Sequence, residues 1–173
     1  MKTKSIALME TKVLAKAGLF AIFLAVSIFA PFLRNQFITG PIVNALLFLS
    51  TAFLGIPAGI LLGFLPSVFA RIIGLLPAPL LPMIPYIIIS NIILVLSFGI
   101  LRKKSFWPAV FVSSGLKFLF LFLASSLIIN FFFKNGLSSK IASMMSWPQL
   151  ATALFGGVIA FMVFSVLGLL PKK

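Results

Sequence analysis

The feature that most constrains this chain is its apolar stretch from Ile42 to Leu101, in which Arg71 is the one charged residue. A soluble domain covers its surface with charged side chains, which make up about a quarter of its residues. This chain has 9% charged and 62% hydrophobic residues, so much of its surface must face lipid. Its 173 residues predict a single all-α integral membrane domain.

The number of membrane helices follows from the lengths of the apolar runs, because a helix needs about 20 residues to cross the hydrocarbon core. The first run follows a lysine-rich segment, and Pro31 directly after Ala30 disfavours signal-peptide cleavage, so we predict a retained span. The next stretch suits three spans, with breaks near Gly55 and in the proline-rich segment Leu75–Pro85. We predict a bundle of six transmembrane helices, near residues 13–33, 42–54, 58–76, 83–101, 107–133 and 148–170.

The cations predict the orientation of this bundle, since Lys and Arg collect in cytoplasmic loops. The chain has 14 Lys and Arg residues and one acidic residue, Glu10. With both termini in the cytoplasm, nine cations lie inside and three outside: Lys2, Lys4, Lys12, Lys16, Arg102, Lys103, Lys104, Lys172 and Lys173 against Arg34, Lys134 and Lys140. Clusters between apolar runs indicate this N-in, C-in topology and argue against nucleic-acid binding.

The missing residue types narrow the function. The sequence has no Cys, no His and no Asp, so the usual ligands and bases of metal and acid–base chemistry are lacking. It also has no Walker A motif with which to bind ATP. We therefore expect neither an enzyme nor a cofactor or metal site.

Two cations fall inside the predicted spans, where each costs roughly 2.5–3.5 kcal/mol on insertion scales. Arg71 lies near the outer end of its span and can extend its side chain to the interface. Lys117 lies ten residues beyond Trp107, about 15 Å along the helix and near the midplane. Backbone carbonyls or water could neutralise either cation, or an anionic or carbonyl-rich ligand could complete its site. Both explanations stay open.

Polar residues of other spans fall at similar depths. Asn91 lies about 12 Å below the outer end of the fourth span, so it can share a level with Lys117. Others lie at or nearer the outer ends of the spans: Asn44, Tyr86, Asn130 and Gln149. This distribution predicts an outward-opening pocket. For each residue alone, an interhelical hydrogen bond is an equally good explanation.

Small residues repeat at every fourth position in two places. Ala17, Ala21 and Ala25 share one face of the first span, which favours close helix packing, either inside the bundle or against another membrane protein. Gly55, Gly59 and Gly63 repeat the spacing, with turn and packing roles equally open.

Together these features resemble the substrate-binding S component of energy-coupling factor (ECF) transporters, in a branch with unassigned substrate. The residues that carry the resemblance, besides six N-in, C-in spans and the alanine face, are the runs Phe37–Ala45, Leu75–Pro85 and Met144–Leu150.

The resemblance implies a subunit of a prokaryotic plasma membrane that captures a vitamin, a precursor or a metal ion from outside. It implies delivery through a transmembrane T component driven by two ATPases, with Ala17, Ala21 and Ala25 docking the T component. Residues 35–40 and the turn near residues 77–82 correspond to loops over the pocket, and spans four to six line it. Without His, Asp and Cys, we expect an organic ligand with an anionic or amide-rich portion rather than cobalt or nickel.

The predicted ligand-binding residues are Asn35, Gln36, Asn44, Arg71, Tyr86, Asn91, Lys117, Asn130 and Gln149. The alternative is a membrane scaffold or assembly subunit in which these polar residues only hold helices together. A small membrane enzyme is disfavoured by the missing residue types.

Overall fold

The computed structural model describes residues 2–74, 78–132 and 142–169, with side chains for residues 10–74, 81–127 and 142–169. In these ranges the chain is helical and contains no strand. We number its six long helices in chain order: α1 Lys2–Phe29, α2 Gln36–Phe53, α3 Ile56–Ile72, α4 Ile84–Leu101, α5 Phe106–Phe132 and α6 Trp147–Val166. The predicted all-α fold with six helices is confirmed.

Five segments of the described chain are long and apolar enough to cross a membrane: Glu10–Leu33, Gln36–Phe53, Leu81–Leu101, Phe106–Leu127 and Ala142–Val166. The sixth helix, α3, is apolar but has only 17 residues. At 1.5 Å per residue it extends about 25 Å, less than the roughly 30 Å hydrocarbon core.

The start of α2 corrects the sequence prediction of a loop over residues 35–40 followed by a short second span. The helix begins at Gln36, because the side chain of Asn35 caps it by accepting a hydrogen bond from the Phe37 N–H at 2.9 Å. The span predicted near residues 42–54 therefore begins six residues earlier, and Pro41 lies inside α2. The short helix is therefore α3 rather than α2.

The first helix is longer than the span predicted near residues 13–33, since α1 already begins at Lys2 and includes Glu10. At its other end α1 passes into a short 3-10 helix, Ala30–Leu33, closed by a hydrogen bond from the Arg34 N–H to the Pro31 carbonyl at 3.0 Å. Arg34 has a φ of 52° and is the one non-glycine residue with positive φ in the described chain.

The second helix is the centre of the bundle. It packs most extensively against α6 and also contacts α1, α3 and α4, while α5 bridges α4 and α6. Its side chains Leu47 and Phe48 are fully buried, and the Phe48 ring meets that of Phe98 edge-on at a centroid distance of 4.7 Å. The core therefore lies around α2, nearer its C-terminal end.

Glycines allow these helices to approach closely. A Cβ at Gly156 would lie 2.6 Å from the Asn44 Cβ and 2.8 Å from the Ala45 backbone nitrogen. A Cβ at Gly63 would lie 3.0 Å from the Asn91 Cβ, and one at Gly59 would overlap Thr51. Gly55 instead has a φ of 98° in the turn before α3, so the glycine repeat serves both the turn and helix packing.

The alanine repeat of α1 has no such internal role. Ala17, Ala21 and Ala25 are exposed, and a Cβ at the neighbouring Gly18 would meet nothing within 4 Å. Only 11% of the apolar window of Glu10–Leu33 is buried inside the bundle. Of the two explanations that the sequence left open, packing inside the bundle is therefore excluded for this face.

We predict that Gly156→Ala lowers the free energy of unfolding by about 1–3 kcal/mol, because the added methyl group meets the backbone of α2, which cannot turn aside as a side chain can. Gly115→Ala in α5 is the matched control, since nothing lies within 4 Å of its Cβ position. It should leave stability unchanged or raise it by up to about 1 kcal/mol through helix propensity. Thermal unfolding of the detergent-purified variants measures both; equal effects would contradict the proposed packing.

Candidate functional site

A buried cation occupies the middle of the bundle. The side chain of Lys117 in α5 is 4% exposed, and its Nζ donates hydrogen bonds to Asn44 Oδ1 at 2.6 Å and to Asn91 Oδ1 at 2.8 Å. The one acidic side chain of the sequence, Glu10, lies near the far end of α1. Lys117 is therefore held by two neutral oxygens and has no carboxylate counter-ion.

Both asparagines are oriented by their amide nitrogens. Asn44 Nδ2 donates to the Gly40 carbonyl within α2 at 2.9 Å, and Asn91 Nδ2 donates to the Gly63 carbonyl of α3 at 3.1 Å. Since each NH₂ group is held by a backbone carbonyl, each Oδ1 is directed at the ammonium group. Four helices thus contribute to one polar cluster.

The cluster lies at one level of the bundle. Asn44, Asn91 and Lys117 each stand near the middle of an apolar segment, in Gln36–Phe53, Leu81–Leu101 and Phe106–Leu127 respectively. A charge at this depth is too far from either interface to be hydrated by extending its side chain. The predicted common level of Asn91 and Lys117 matches their direct hydrogen bond.

A cavity of about 530 Å³ opens from this cluster toward one end of the bundle. That end is formed by the end of α1, the start of α2, the end of α3 and the segment before α6. The residues that line it are Ser27, Pro31, Arg34, Asn35, Gln36, Thr39, Gly40, Val43, Asn44, Pro66, Ser67, Ala70, Gly74, Ile87, Asn91, Lys117, Met144, Met145 and Gln149. Its volume is within the range of small-molecule sites, roughly 300–1,000 Å³.

The segment before α6 forms one wall of the cavity. Its helical turn, residues 142–145, is tied to α2 by a hydrogen bond from Gln36 Nε2 to the Met144 carbonyl at 2.9 Å, and Gln149 Nε2 donates to the same oxygen at 3.1 Å. Met145 is buried against Met83 and Leu121. This part of the linker therefore packs into the bundle.

Of the nine predicted ligand-binding residues, six line the cavity: Asn35, Gln36, Asn44, Asn91, Lys117 and Gln149. Arg71 is exposed in the last turn of α3 and is not part of the lining, so it is not a buried cation. Tyr86 is also outside the lining and packs against the Met83, Leu121 and Met145 group. The side chain of Asn130 lies outside the described residues.

Several lining residues were missed by the sequence reasoning. Arg34 was counted only as a loop charge, yet it stands at the mouth of the cavity. Ser27 was not singled out, since it is one polar residue in the first apolar run. Its buried Oγ has no hydrogen-bond partner among the described side chains and backbone. The sequence did offer a signal for Met144 and Met145, because they are apolar residues in a polar linker.

Comparison with known proteins identifies the family of this chain. The family model described as ECF transporter, substrate-specific component, matches residues 18–168. The chain belongs to this family. No curated protein and no solved structure matches it.

An S component is the membrane-embedded substrate-binding subunit of an ECF transporter, a transport subunit rather than an enzyme. The chain is accordingly a multi-pass protein of a prokaryotic plasma membrane, as its apolar helices require. The described residues of this S component contain no group of three His, Cys, Asp or Glu side chains that could hold a metal ion.

A double-mutant cycle tests the Lys117 cluster. Asn91→Leu alone should lower the free energy of unfolding by about 1–3 kcal/mol, because it removes one acceptor from a buried cation together with the hydrogen bond to the Gly63 carbonyl. Combined with Lys117→Met it should cost less, with a coupling energy of about 0.5–3 kcal/mol, since no cation then needs the acceptor. Equilibrium unfolding of the single and double variants gives this coupling.

Lys103→Met serves as the control for this cycle, since Lys103 is exposed in the turn between α4 and α5. Its effect should add to that of Asn91→Leu. Additive effects of Asn91→Leu and Lys117→Met would instead show that the two side chains are not coupled.

Proposed function

We propose that the cavity captures a small organic nutrient, such as a vitamin or a vitamin precursor, with an anionic or carbonyl-rich group bound at Lys117. The observation that carries this proposal is that Lys117 Nζ makes only two hydrogen bonds within the described chain. An ammonium group has three N–H donors, and two are used by Asn44 and Asn91. The third has no acceptor in the described chain, although Lys117 lines the cavity.

A second unpaired group supports a ligand in the same cavity. The Ser27 Oγ of α1 is buried without a hydrogen-bond partner among the described residues. Because α1 packs on α2 and α3 whereas α5 packs on α4 and α6, Ser27 and Lys117 reach the cavity from different sides of the bundle. A buried polar group without a partner is costly, and a ligand in contact with both would remove two such costs.

The charge distribution supports capture from outside. We propose that both termini are cytoplasmic, which puts nine cations inside and three outside. In this orientation the end of α1, the start of α2 and the start of α6 lie at the outer face. The cavity mouth, which these elements form, then opens to the exterior.

We propose that a T component and two ATPase subunits supply the energy, since the sequence carries no ATP-binding motif of its own. The exposed face of Ala17, Ala21 and Ala25 is the proposed docking surface. In lipid, helices associate through close packing, and a flat alanine face allows it.

The competing function is that of a membrane scaffold or assembly subunit. It is favoured by the hydrogen bonds from Lys117 to Asn44 and Asn91, because they already offset much of the free-energy cost of burying Lys117. Ligand-dependent stability separates the two functions.

We predict that a library of vitamins and vitamin precursors contains a compound that stabilises the purified protein, by about 2.7 kcal/mol at a hundredfold excess over Kd. Thermal unfolding with and without each compound measures this. The shift should disappear in Lys117→Met and persist in Lys103→Met, whose side chain is exposed in the turn between α4 and α5. If no compound stabilises the wild type, the scaffold function is preferred; mass spectrometry of molecules that co-purify with it provides an independent check.

We predict that Ala21→Leu prevents co-purification with the T component while ligand-induced stabilisation is retained, because a larger side chain separates the two helices. Ala15→Leu is the matched control, as Ala15 is an exposed alanine of α1 outside the repeat. Affinity capture of co-expressed subunits gives the result. Equal capture of both variants would rule out this face as the docking surface.

A further inference from the structure

We infer that the ligand is an elongated molecule with an anionic group at each end and an apolar middle. The inference rests on the proposed function and specifies its substrate class. One anionic group binds Lys117 at the floor of the cavity, and the other binds Arg34 at its mouth.

The two cations of the cavity lie at different depths. Arg34 precedes α2, whereas Asn44 lies eight residues beyond Gln36, about 12 Å deeper along the helix. The Lys117 ammonium is bound to the Asn44 oxygen and therefore shares the deeper level. Lys117 is buried and Arg34 is exposed, as expected for a floor and a mouth. A ligand that contacts both groups must therefore extend from the mouth of the cavity toward its floor.

No negative group offsets these two charges. None of the residues that line the cavity is acidic, and Glu10 lies near the opposite end of α1. Two cations in a pocket with low-dielectric walls concentrate a positive potential inside it. The cavity therefore attracts anions and repels cations along its whole length.

Most of the cavity wall is apolar, although Ser27, Thr39 and Ser67 also line it. The apolar residues include Val43, Pro66, Ala70, Ile87 and Met145. These side chains can bury a hydrocarbon chain or ring but offer no side-chain hydrogen bonds. The anionic groups of the ligand are therefore expected at its ends, next to the two cations.

The turn before α2 fixes the direction of Arg34. The Arg34 backbone is in the left-handed region, with a φ of 52°, and its N–H is bonded to the Pro31 carbonyl. This conformation is unfavourable for a residue with a Cβ, and glycine or asparagine would adopt it more easily. Pro31 and Arg34 both line the cavity, so the turn presents the guanidinium at its mouth.

The test uses straight-chain dicarboxylates from pentanedioate to undecanedioate as probes. The controls are monocarboxylates and terminal diamines of the same chain lengths. The protein is reconstituted in phosphatidylcholine nanodiscs, so that no anionic lipid headgroup competes for the cavity. Isothermal titration calorimetry gives the Kd of each probe.

We expect one dicarboxylate length to bind up to about fivefold more tightly than its monocarboxylate, the upper end of the gain from a solvent-exposed ion pair. The diamines should not bind. Arg34→Gln should remove the advantage of the dicarboxylate, whereas Arg71→Gln should keep it. Arg71 is the matched control because it is exposed at the same end of the bundle but does not line the cavity. Lys117→Met should weaken mono- and dicarboxylates alike, by about tenfold or more.

The inference is overturned if mono- and dicarboxylates bind equally at every length, if Arg34→Gln and Arg71→Gln have equal effects, or if no dicarboxylate binds. In any of these cases the proposed function still stands when a library compound stabilises the protein in a Lys117-dependent manner. It fails together with the inference when no library compound does so.

Discussion

The hydrogen bonds from Lys117 to Asn44 and Asn91 are the interaction on which the arrangement of this bundle depends. An ammonium group at the centre of a membrane protein needs acceptors, and the described chain offers it no carboxylate. Two amide oxygens from α2 and α4 take that role, and each is directed by a hydrogen bond from its own amide nitrogen to a backbone carbonyl. The polar cluster thereby fixes α5 against two other helices at one depth.

Close packing makes this cluster feasible. Gly156 brings α6 against Asn44, and Gly63 brings α3 against Asn91, each leaving no space for a side chain. The glycines therefore belong to the site as much as the polar residues do, because they determine where the asparagines stand. Between the cluster and the cavity mouth the helices separate, and the segment with Met144 and Met145 closes one side of the resulting cavity.

Much of the site was predictable because residue type and depth are both readable from a sequence. Lys117 and Asn91 are polar residues in long apolar runs, where burial without a partner is costly, and they were expected to share a level. Asn44 was expected nearer the outer end of its span, but it lies mid-helix because α2 already begins at Gln36. Arg71 shows the limit of this reasoning, since its distance from the span end could not reveal on which side of α3 its side chain emerges. Residues 35–40 show another, because they were expected to form a loop, whereas the hydrogen bond from the Phe37 N–H to the Asn35 side chain caps a helix that begins at Gln36. Arg34 and Ser27 gave no signal, as each is an ordinary residue for its segment.

The sequence by itself determined the class of this protein. The chain has apolar runs of bilayer length, few charges and an excess of cations. In lipid the backbone groups of such runs can form their hydrogen bonds only within membrane helices, whichever way the helices pack. Only the tertiary structure decided which polar residues share a cavity and which alanines stay exposed. These properties depend on the rotation of each helix about its axis, which is set by side-chain packing between helices far apart in the chain. Hydrophobicity alone carries little information about that rotation here, because lipid-facing and core-facing positions are almost equally apolar.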